Sequence, residues 1–130
     1  MAKNIGDTNI KFGWMWLLVF TMVGAGLEIW LGLSNFENES HVRDMITQGH
    51  VHGLLLAFLN IFYGAQIDGT NLSKKAKKIG SICAVSGMII MSLALLTSAF
   101  IDPLKYLAPI GGTLIIVSVA FMATGIFNKK

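Results

Sequence analysis

The polar groups inside the apolar parts of this chain are few, so each can be weighed for chemistry. Gly49-His50-Val51-His52-Gly53 opens an apolar run and holds two imidazoles. A neutral imidazole in such a place is a good ligand for heme iron or a transition metal. It can equally hydrogen-bond a loop carbonyl or cap a neighbour. At 100° per residue the two rings point to nearly opposite sides, so a regular helix does not bring both to one metal. Gly49, Gly53, Ala57, Asn60 and Gly64 fall on one stripe beside His50. Small residues there admit either another helix or a flat cofactor close to the backbone. Glu28 is the other ionisable group within an apolar run. A buried carboxylate needs a partner or a proton. Glu28 could pair with a histidine, orient a ligand imidazole, accept a proton, or serve as a structural hydrogen-bonding group. Asn60, near the middle of its run, could orient a substrate or bond between helices. His41 with Glu37, Glu39 and Asp44 could bind a cation, and a solvated acidic loop explains them as well.

These groups need elements to hold them, and the chain offers four apolar runs. They are Phe12 to Leu33, His50 to Ile67, Ile79 to Ile101 and Tyr106 to Phe127. Each approaches the roughly 20 residues that a helix needs to cross hydrocarbon. None shows the strict alternation of a barrel strand. Of the 130 residues 54% are hydrophobic and 13% charged, against about 25% charged in soluble domains. The expected fold is all-α: one domain, an integral membrane bundle of four transmembrane helices. The first run exceeds the roughly 7–15 residues of a cleaved signal, so it is expected in the mature protein.

Eight of the ten basic residues mark one side: Lys3, Lys11, Lys74, Lys75, Lys77, Lys78, Lys129 and Lys130. Arg43 and Lys105 fall on the other. The positive-inside rule then predicts that both termini are cytoplasmic. The net charge of +3 lies beside apolar spans and points to the bilayer as partner, not to nucleic acid. Trp14, Trp16 and Trp30 are expected at the headgroup level. Ser86, Ser92, Thr97, Ser98, Thr113, Ser118 and Thr124 are expected to bond back to their own helices. The lone Cys83 excludes an intrachain disulfide. No phosphate loop, dinucleotide turn or nucleophile elbow is present.

The Gly-rich first run (Val23-Gly24-Ala25-Gly26-Leu27, then Leu31-Gly32) precedes a second run opening His50-x-x-Gly53. The third begins Ala76-Lys77-Lys78-Ile79-Gly80-Ser81, with Gly87 following. Over most of its length this pattern resembles the styrene oxide isomerase and hydroxylaminobenzene mutase family. The resemblance implies a homotrimer with heme b between subunits and His50 as axial ligand, His52 being the alternative. It implies Lewis-acid rearrangement of a small apolar epoxide or hydroxylamine-type substrate in a bacterial inner membrane. The chain departs from the isomerases at Leu56, Ser86 and Ala94, where they carry asparagine, aspartate and tyrosine. Two other readings fit the same sequence: a small multidrug-type proton-coupled transporter using Glu28, and a nonenzymatic heme or metal protein. A structural subunit without a cofactor is a further alternative.

Overall fold

The computed structural model describes residues 4–33 and 40–128, the side chains of 31–33 and 40 apart. Lys3, Glu37, Glu39, Lys129 and Lys130 lie outside the described residues. Four helices run in chain order: α1 (Gly6–Leu33), α2 (Ser40–Ile67), α3 (Lys74–Ser98) and α4 (Ala108–Phe127). A 3-10 segment, Asp102–Leu107, joins α3 to α4. No strand occurs among the described residues. Each of the four is long and apolar enough to cross a membrane.

α1, α2 and α3 begin before the apolar segments that foretell them. α1 and α2 have 28 residues each, about 42 Å at 1.5 Å per residue. That length matches a whole bilayer with its headgroups rather than its ~30 Å hydrocarbon core. α2 begins at Ser40, ten residues before the apolar run. The acidic stretch before His50 is therefore largely helix rather than loop. Val42, Met45, Ile46 and Gly49 recur there at helical spacing and face inward, while Arg43, Asp44, Thr47 and Gln48 stay exposed. At its N-terminal end His41 approaches Asp102 of the 3-10 segment at 3.7 Å.

Packing follows chain order. α1 lies mainly on α2, α2 on α3, and α3 on α4, while α1 and α4 scarcely meet. Close approach depends on glycine. A Cβ on Gly49 would stand 2.6 Å from the Leu96 backbone nitrogen, and one on Gly87 2.8 Å from the Gly111 carbonyl. Small contact residues of this kind let helices approach where lipid gives no hydrophobic drive to associate.

Polar bonds fix the register. Asn9 and Asn60 are fully buried. The Asn9 amide donates to Asn60 Oδ1 at 2.9 Å and to the Ser81 carbonyl at 3.2 Å. Ser81 Oγ donates back to Asn9 Oδ1. The three side chains thus tie α1, α2 and α3. Trp16 donates its ring N–H to Ser92 Oγ at 3.1 Å and stacks obliquely on Phe20. Trp16 is thus held inside the packing, whereas Trp14 is exposed as expected of a headgroup-level ring. Six of the seven serines and threonines expected to bond back do so, each to a carbonyl three or four residues earlier, whereas Ser86 makes no such bond among the described residues.

The α2–α3 connection serves both ends of the chain. Asp68 accepts from the Ile5 and Gly6 backbone N–H groups at 3.3 and 2.9 Å. A carboxylate there satisfies orphan donors and suits the positive end of the α1 dipole. Three residues on, Asn71 donates its backbone N–H to the Gly125 carbonyl and its side-chain amide to the Asn128 carbonyl. Ser73 then caps α3, accepting from the Ala76 N–H.

Candidate histidine site at the α1–α2 seam

His50 is the eleventh residue of α2 and is partly buried against α1. Its ring rests on Gly24. A Cβ at that glycine would stand 2.8 Å from His50 Nε2 and 3.3 Å from Nδ1. Any larger residue at 24 would displace the imidazole. His50 Nδ1 is buried and has no hydrogen-bond partner among the described residues. Such an orphan costs about 1–3 kcal/mol, so its presence asks for an outside group.

His52 is prepared differently. Its Nδ1 lies 2.8 Å from the Gln48 carbonyl. A carbonyl only accepts, so Nδ1 carries the proton and the Nε2 lone pair is left available. This is the tautomer in which ligand histidines are commonly held. The two rings have separate surroundings, as their angular separation predicts.

Glu28 stands one turn beyond Gly24 on α1 and is exposed. It makes no bond to either histidine among the described residues. It lies about 13 Å from the middle of α1 at 1.5 Å per residue, toward the C-terminal end of that helix.

The small-residue stripe of α2 is filled by protein. Leu96 of α3 covers Gly49, and the Phe20 ring covers Gly53. Ala57 and Asn60 are fully buried. Gly6, Asn9 and Ile10 close over Gly64. Of the two occupants that the stripe could admit, this fold supplies the helices. A flat group cannot also lie on Gly53 in this packing. Asn60 is likewise spent. Its amide donates to the carbonyls of Leu56 and Ala84, both at 3.1 Å, and approaches Met88 Sδ, while its oxygen accepts from Asn9. Both N–H groups are used and the side chain is fully buried, so Asn60 bonds between helices here.

Asn9, Ser81 and Asp68 were not foreseen as partners. The spacing of Gly6, Asn9 and Gly13 gave a signal: it puts one polar group between two small ones on a single helical face.

Among the described residues no three metal-binding side chains cluster. A bare ion that needs three or four protein donors has no such set there. A macrocycle that brings its own equatorial nitrogens needs one axial imidazole. His50 meets that requirement as a donor, provided that the group lies on the outside of the α1–α2 seam and not on the filled stripe.

The fold and these groups define a multi-pass helical protein of membrane-spanning type with an imidazole pair toward one end. No protein-family model, curated protein or solved structure matches the chain.

Proposed function

We propose that this protein binds heme b in the membrane, with His50 as the protein's ligand to the iron. The observation that carries this reading is the buried, unpartnered nitrogen of His50 in an apolar seam. Gly24 leaves room for the ring, and α1 holds it against rotation. Heme bound there would supply a Lewis acid toward the oxygen of a small apolar epoxide or hydroxylamine-type substrate. Apolar surroundings there would keep water out and strengthen that polarisation. Glu28, one turn beyond Gly24, would hold or release a proton at its carboxylate.

A specific observation favours a second reading, heme binding without isomerase chemistry. Leu56 and Ala94, at two positions where the resembling isomerases carry polar side chains, are both buried. In either reading the cofactor lies between copies, three by resemblance, since the interior stripe of one copy is full. Protein purified in mild detergent from heme-supplied cells is expected to show a Soret band. Colourless protein with no extractable heme overturns both readings.

The same proposal places both termini in the cytoplasm of a bacterial inner membrane, supported by the lysine distribution. A membrane-impermeant maleimide tests this in spheroplasts of a Cys83→Ser background. Tyr106→Cys should label in intact spheroplasts, and Lys75→Cys only after permeabilisation. The opposite pattern reverses the orientation.

A further inference from the structure

The chain enters α3 through a run of lysines: Lys74, Lys75, Lys77 and Lys78. The placement does not serve the helix itself. The N-terminus of a helix is its positive end, where anions stabilise and cations do not. The first turn of α3 holds no acidic residue. Lys77 is half-buried and gives its ammonium to the Asp68 carbonyl at 2.8 Å. The Asp68 carboxylate is engaged by the Ile5 and Gly6 N–H groups. Lys74, Lys75 and Lys78 are exposed, and their side chains make no ion pair or hydrogen bond among the described residues.

These three cations share a face. At 100° per residue, Lys78 stands about 40° and Lys75 about 100° from Lys74, with Ile82 and Ile79 at about 80° and 140°. Both isoleucines are exposed. Gly80, Ser81, Ala84 and Met88, on the opposite side, are buried. Ile82 lies one turn, about 6 Å, below Lys78, on a helix long and apolar enough to span a bilayer. Three unpaired ammonium groups therefore stand at the head of an apolar strip. The complementary molecule is anionic at one end and apolar along its length. A phospholipid with a negatively charged headgroup has that form: its phosphate oxygens accept from the ammonium groups, and its chain lies along the strip. Free phosphate would leave the isoleucines unused. Orientation in the membrane asks only that lysines lie on one side, not that three share a helical face with exposed isoleucines.

We infer that the start of α3 is a docking surface for an anionic phospholipid, with Lys74, Lys75 and Lys78 on its phosphate and Ile79 and Ile82 along its acyl chain. This surface is separate from His50 and does not depend on heme.

The test uses the full chain in phosphatidylcholine nanodiscs, where both membrane faces are open to the probes. A bimane is attached to Ile82→Cys in a Cys83→Ser background. Phosphatidylglycerol and phosphatidylcholine, each with a nitroxide high on the acyl chain, serve as quenchers. A lysine beside an anionic headgroup is worth about fivefold in affinity, so phosphatidylglycerol should quench at a mole fraction lower by about fivefold or more. Lys74→Gln/Lys75→Gln/Lys78→Gln should abolish that difference, and Lys78→Gln alone should reduce it. Lys3→Gln/Lys129→Gln/Lys130→Gln, which removes the same charge elsewhere, should preserve it. Equal quenching by the two lipids before any lysine is changed overturns the site. An equal loss in both triple variants overturns its place on α3. Displacement by inorganic phosphate at fixed ionic strength overturns the lipid as occupant. Unchanged quenching by phosphatidylcholine verifies that a variant is folded with this face exposed.

Discussion

His50→Ala protein should lose its Soret band, while His52→Ala protein keeps most of it. Removing the one protein donor leaves the iron without an anchor. His52 has separate surroundings on the Gln48 carbonyl, so its loss leaves the iron's anchor in place. His50→Gly should recover absorbance when imidazole is added, because the free ring fills the space over Gly24. A purely structural role for His50 gives no such recovery. The reverse pattern, with His52→Ala colourless and His50→Ala red, transfers the ligand to the ring whose Nδ1 is held by Gln48. The measurement is an absorption spectrum with heme extraction, on variants that elute as the native protein does.

The largest expected loss of stability comes from Asn60→Leu. Interhelical hydrogen bonds in membrane proteins average about 0.6 kcal/mol and reach about 1.7. Asn60 makes such bonds to both α1 and α3. The leucine also leaves the Asn9 amide short of an acceptor in a fully buried place, and stranding a buried group costs about 1–3 kcal/mol. Asn60→Leu should therefore lower the unfolding free energy by about 2–3 kcal/mol in mixed micelles. Asn9→Ala alone should cost less, and the double variant less than the sum of the two, because both remove the same bond. Strict additivity would mean that the two asparagines act independently and would refute the shared network.

The four spans were legible because hydrocarbon thickness writes itself into run length. The ends were not. Hydropathy reports the part of a helix in lipid, and α2 continues ten residues further through polar sequence. Its inward spacing of Val42, Met45 and Ile46 was the available sign, obscured by the charges between. Asn9 escaped notice for the same reason, since it precedes the first apolar residue of its run. The different surroundings of His50 and His52 followed from angle alone. What fills a small-residue stripe did not. Glycine specifies how near a neighbour comes, not which neighbour it is, and only the packed chain shows Phe20 and Leu96 in those places.

The short connection after α2 also bears on the order in which the chain is made. Residues 5 and 6 find their acceptor only in Asp68, so the beginning of the chain waits until its first hairpin has been synthesised. Asn71, three residues later, must wait for Gly125 and Asn128. Synthesis proceeds from the N-terminus, and early parts fold first. One small segment therefore takes part in two closures separated in time: it fastens α1 once Asp68 has emerged, and α4 only after Asn128 has been made.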